Sequence, residues 1–93
     1  MLDFDELKEN HCAAQFNFIV IELDMAITFC EIALVADTTA KANRNRKHAN
    51  DAYTAAIHFT ENVPLTPKMV SEINGRIRRL KDLLRQLKYA TET

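Results

Sequence analysis

One glycine and two prolines are all that punctuate this 93-residue chain, and Pro64, Pro67 and Gly75 all fall in its last third. Sheets built from short strands need turn residues about every 8–12 positions, so this scarcity argues against a β-rich fold. A few long helices joined by few turns remain. The length fits a single domain over residues 1–93, near the lower end of what buries an independent core. With 47% apolar residues, material for that core is present.

Three helices emerge from the spacing. The opening LDFDELKEN places Asp3 three residues before Glu6, a capping-box-like start with acids in the first turn, where they suit the helix dipole. Nothing then interrupts a helix until about Thr38, which predicts a first helix over residues 3–38. Phe16, Ile19, Leu23, Ala26, Cys30 and Ala33 recur at spacings of 3 and 4 along it. A second series, Phe18, Ile21, Met25, Phe29, Ile32 and Ala36, points almost the opposite way, so this helix has two apolar faces to cover. Glu22, Asp24 and Glu31 argue against a membrane span, since each would cost about 2.5–3.5 kcal/mol near a bilayer centre.

The clustered Asp, Thr and Asn residues of DTTAKANRN compete with the helical backbone for hydrogen bonds and predict a turn. A second helix follows over residues 43–62, carrying Ala49, Ala52, Tyr53, Ala56, Phe59 and Val63 on one side; its small side chains suit close helix approach. VPLTPKMV is the strongest local signal. Thr66 reads as the N-cap, Pro67 as the first helical residue, and Leu65 with Val70 as a hydrophobic staple. The third helix, residues 67–89, then presents Val70, Ile73, Ile77, Leu80, Leu84 and Leu87 as a heptad seam, with Gly75 inside it for close packing. The fold expected is an all-α, up-down-up three-helix bundle.

A first helix of 36 residues would span about 54 Å against about 30–33 Å for the others, so its amino-terminal part overhangs. Phe4, Leu7, Phe16, Phe18, Ile19 and Ile21 are the residues this leaves to a partner, and an isologous homodimer through the first helix is the simplest cover. The alternative is a break near ENHC that folds residues 3–10 back. Between residues 23 and 36 the second apolar series is expected to meet the second helix instead.

LDMAITFCEIALVAD (residues 23–37) followed by ANDAYTAAIHF (49–59) resembles the first two helices of the microtubule-interacting and trafficking (MIT) domain, a three-helix bundle. INGRIRRLKDLLRQL (73–87) sits where its third helix would lie. The spacing of Ala49, Tyr53 and Ala56 is similar also to the second helix of a tetratricopeptide repeat. The resemblance spans residues 23–88 and implies a helical module that takes a partner helix in an interhelical groove. The chain departs from both patterns: no Gly-Asn-Tyr-type turn joins the first two helices, and no 34-residue repeat recurs.

Charge is divided unevenly along the chain. Residues 1–39 hold eight acids and Lys8, a net −7, whereas residues 40–93 hold eleven bases and five acids, a net +6, which together give the overall −1. The densest run, KANRNRKHANDAY, scatters around a helix when projected, with Lys47 and Asp51 spaced to pair. Arg78, Lys81, Arg85 and Lys88 instead share one stripe on the third helix. Four phosphate contacts from such a stripe would give marked salt dependence, so a nucleic-acid accessory is the alternative function. The competing expectation is that Asp24 and Glu31, seven apart, face Arg78 and Arg85, likewise seven apart. No aromatic residues interleave with these bases, which argues against single-strand stacking.

No chemistry-bearing constellation stands out. His48 and His58 are ten residues apart and point about 80° away from one another on a helix, His11 beside Cys12 lacks the i, i+3 or i, i+4 partner of a helical metal site, and a single glycine cannot build a phosphate loop. Only Glu22, Glu31 and His58 could be assembled by a bundle from separate positions. We therefore expect no enzyme, no metal and no cofactor. Cys12 and Cys30 lie 18 residues apart, about 27 Å along one helix, too far to bridge unless that helix breaks near Asn10 to Cys12. With an acidic opening in place of a basic signal region, reduced thiols and a cytoplasmic location are expected.

Overall fold

The computed structural model of the protein describes the backbone of residues 4–92 and the side chains of residues 11–88. Three helices account for nearly all of it: α1 (Phe4–Leu34), α2 (Thr39–Thr60) and α3 (Pro67–Glu92). They form an up-down-up bundle in which α1 packs against both α2 and α3. The molecule is elongated, 57 × 22 × 17 Å. No strand occurs among the described residues.

α1 runs unbroken through Asn10, His11 and Cys12, so the fold-back near ENHC does not form. At its other end α1 stops four residues short of the expected Thr38. Its last turn tightens as the Val35 and Ala36 N–H groups donate to the Ile32 and Ala33 carbonyls at 3.3 and 3.4 Å. Thr38 then adopts an extended backbone (φ −134°, ψ 152°) and its Oγ1 accepts from the Lys41 N–H at 3.1 Å. That cap starts α2 at Thr39, four residues before the expected Asn43. The segment DTTAKANRN contains the turn, but only its first two residues make it: a threonine at an N-cap satisfies an orphan helix donor where it would otherwise weaken the helix. The ion pair at this junction joins Asp37 to Lys41 at 2.9 Å, and none joins Lys47 to Asp51 among the described residues.

At the second junction the Thr60 Oγ1–H donates to the Ile57 carbonyl at 2.7 Å and the Asn62 Nδ2–H to the His58 carbonyl at 3.2 Å. Pro64 lies just beyond, where a proline cannot continue the helix. Thr66 caps α3 as its sequence demands, its Oγ1 accepting from the Met69 N–H at 3.2 Å. Leu65 packs on the core, but Val70 stays 40% exposed.

The core lies along one face of α1, where Ile19, Leu23, Ala26, Cys30 and Ala33 are buried, as the first apolar series predicts. From α2 it receives Ala49, Ala52 and Ala56. α3 contributes Ile73, Leu80, Leu83 and Leu87. Leu83 replaces Leu84 in the expected seam because the flank of α3 that meets α1 is the one carrying Arg76, seven residues before Leu83. Arg76 Nε donates to Asp24 Oδ1 at 3.0 Å across that interface. Ile77 and Leu84 are only partly buried.

Gly75 is exposed rather than packed, and a Cβ built there meets nothing within 4 Å. Its cost to the helix is therefore uncompensated. Gly75→Ala should raise stability by about 1 kcal/mol, read as a higher denaturation midpoint with an unchanged denaturant slope. A lower midpoint would mean that residue 75 does pack against something.

Candidate interaction surface

With the core assigned, the outer face of α1 can be followed residue by residue. Phe18 (40% exposed), Ile21 (55%), Met25 (43%) and Ile32 (45%) form a stripe at spacings of 3, 4 and 7. Such spacing holds them on one side of a helix. Phe59 of α2 (37% exposed) extends this stripe sideways, its ring centroid 4.5 Å from that of Phe18. Exposed apolar residues are ordinary when scattered; these five are aligned. Val35, the most open large apolar side chain, lies in the turn at the end of α1.

Between Ile21, Asp24, Met25, Thr28 and Phe29 the stripe dips into a shallow concavity of about 280 Å³. Its polar groups already have partners. Thr28 Oγ1–H donates to the Asp24 carbonyl at 3.0 Å, and the Asp24 carboxylate holds Arg76. A polar group already bonded within the chain loses less when it is covered than one bonded only to water.

This arrangement changes several expectations. Ile19, expected on the partner face, is fully buried in the chain's own core, and Phe16 packs beside it. Phe18 and Ile21 are exposed as expected, though the overhang is not the reason, since α2 reaches Phe18 through Phe59. Phe4 and Leu7 lie outside the described side chains. Met25 and Ile32, expected under α2, remain open, whereas Phe29 of the same series meets α2, its ring centroid 5.2 Å from that of His48. What sequence reasoning missed was the continuity of the stripe from Phe18 to Ile32. The signal was there, because a helix docked on the first series cannot also cover a series that points almost the opposite way.

The basic stripe of α3 is also placed differently. Arg78, Lys81, Arg85 and Lys88 are all exposed, but Asp24 pairs with Arg76 and not with Arg78, and Arg85 Nη1 pairs with Asp82 on its own helix at 3.4 Å. The stripe therefore turns away from α1. Arg78 and Lys81 make no ion pair among the described residues.

At the end of the bundle a wider cavity of about 590 Å³ opens between the α1–α2 turn and Leu87, lined by Ala33, Leu34, Asp37, Thr38 and Arg46 among others. Among the described residues no three His, Cys, Asp or Glu side chains are grouped to hold a metal ion; Glu31 and His58 lie exposed and Glu22 half-buried. No described helix is long and apolar enough to cross a membrane.

Both cysteines are free thiols. Burial, with a smaller contribution from Glu31, pushes the Cys30 thiol from 9.0 up to about 11. A raised thiol pKa makes the folded state hold a proton the unfolded chain would release. Its stabilisation is complete below about pH 9 and is lost as pH rises towards 11. The denaturation midpoint should fall across that window, and fall less in Cys30→Ala, which isolates this thiol from lysine and tyrosine titration. Equal alkaline losses would contradict the assignment.

Comparison of the chain with protein-family models, with curated proteins and with solved structures found no match.

Proposed function

We propose that this chain is a small, non-catalytic helical protein–protein interaction module that forms a homodimer through the outer face of α1. The observation that carries this reading is the aligned apolar stripe of Phe18, Ile21, Met25 and Ile32, extended by Phe59 and left uncovered on the side away from the core. Covering apolar surface is the main favourable term in association, and a stripe with its polar neighbours already bonded needs little else from a partner. The partner helix in an interhelical groove that the MIT-like pattern implies would occupy the same α1–α2 face; a second copy is the occupant we favour. Light scattering at tens of micromolar or so should report a dimer, and a strict monomer would remove this reading.

A second reading, a nucleic-acid-associated accessory, has its own support in the outward-facing Arg78, Lys81 and Arg85. A retarded band at low salt that disappears in Arg85→Glu would favour it. No retardation, or retardation indifferent to that substitution, would end it.

A further inference from the structure

We infer that the second copy lies antiparallel on the first, with Met25 on the two-fold axis. This rests on the dimer proposed above and adds its orientation. The stripe is symmetric in sequence about Met25: Phe18 and Ile32 are each seven residues away, and Ile21 and Phe29 each four. An antiparallel pairing centred there sets Phe18 of one copy beside Ile32 of the other, Ile21 beside Phe29, and Met25 beside Met25. Each of these five α1 residues then meets an apolar residue. The concavity lined by Ile21, Met25 and Phe29 sits on the same axis, where a methionine of the second copy can fill an irregular gap.

Area supports a second copy as the occupant. Side chains of this size expose roughly 150–250 Å² when fully open, so the five exposed fractions leave about 400 Å² of apolar surface per protomer. A standard interface takes ~800 Å² from each partner, and in homodimers about 65% of it is apolar. The stripe supplies most of that apolar share.

Charge decides the direction. The Arg76–Asp24 contact bridges 52 residues and sets α3 beside α1 in parallel, so Pro67, the start of α3, lies level with about residue 15. α1 therefore projects beyond the bundle by its first eleven or so residues, about 16 Å. Residues 4–9 of this projection include Asp5, Glu6 and Glu9 against Lys8. At the opposite end of the bundle α2 opens with Lys41, Arg44, Arg46 and Lys47, and Arg85 and Lys88 lie on α3 before its last turn; Asp37 and Asp82 pair there with Lys41 and Arg85, so bases outnumber these acids. Antiparallel pairing carries each acidic projection towards the basic end of the other copy. Parallel pairing would lay the two acidic projections side by side, where like charges repel within a Debye length of about 8–10 Å.

Disulfide trapping tests this in a Cys12→Ser background, whose remaining Cys30 is buried. Under mild oxidation Met25→Cys should form a covalent dimer. Phe18→Cys alone and Ile32→Cys alone should form none, because antiparallel pairing holds each about 21 Å from its own copy, far beyond disulfide reach. Mixing those two variants should restore the covalent dimer. Self-linking of Phe18→Cys and Ile32→Cys would overturn the orientation while leaving the homodimer standing. A dimer by solution mass that no stripe cysteine traps would place the interface elsewhere, and a monomer that none traps would remove orientation and dimer together.

Discussion

Leu80→Ala should lower the stability of this protein by about 2–5 kcal/mol, the usual cost of truncating a leucine that its neighbours enclose. Leu80 is fully buried between α1 and the rest of the core. A chain of this length has only about 5–14 kcal/mol in total at 0.05–0.15 kcal/mol per residue, so one truncation removes a large fraction of it. For a domain of this size each kcal/mol moves the thermal midpoint by roughly 4–8 °C, and a drop of 10 °C or more is expected. The neighbouring pair gives a sharper comparison. Leu83 is 2% exposed and Leu84 only partly buried, so Leu83→Ala should cost clearly more than Leu84→Ala. A heptad seam read from the sequence gives the reverse order, and that reverse order in calorimetry would mean that α3 is rotated about its axis. All variants need comparison at one protein concentration, because dimerisation adds to apparent stability by mass action.

Met25→Asp should dissociate the proposed dimer and leave the fold intact. The side chain is 43% exposed in the single chain, so a carboxylate there is solvated in the monomer. At the two-fold axis two such carboxylates would face one another without a cation. Burying an uncompensated charge costs about 3 kcal/mol or more, which is roughly a hundredfold or more in Kd. The expected result is monomeric mass with unchanged far-ultraviolet circular dichroism. Loss of helicity would show instead that Met25 is a core residue of the single chain, and an unaltered dimer would place the interface away from the stripe.

Much of the fold was legible because helix signals are local. Thr66 and Pro67 specify the start of α3 by their own chemistry, and the Ile19–Ala33 series specifies the buried face of α1 by spacing alone. The α1–α2 junction was misplaced by four residues because Thr38 and the asparagines after it have the same turn propensity. Only the geometry of the chain shows which of them caps and which lie within the helix, where Asn45 and Asn50 donate from Nδ2 to the Lys41 and Arg46 carbonyls. The seam of α3 was read one position off at Leu84 because Leu83 and Leu84 are equally apolar. What separates them is which flank meets α1, a tertiary fact fixed by Arg76 and Asp24.

The apolar stripe of α1 was half legible for a related reason. Two apolar faces on α1 can be counted in the sequence, but how much of the second face α2 covers depends on how closely α2 approaches. Ile19 belongs to the first series and is buried with it, whereas Met25 and Ile32 stay open although Phe18 and Phe29 of their series meet α2.

The direct test of this account is the mass of the unmodified protein in solution, measured by sedimentation across a range of concentrations. The chain mass is 10.7 kDa. The account predicts twice that value at the upper concentrations, falling towards the single-chain mass on dilution. A single-chain mass at every concentration, with the helices intact, would contradict it.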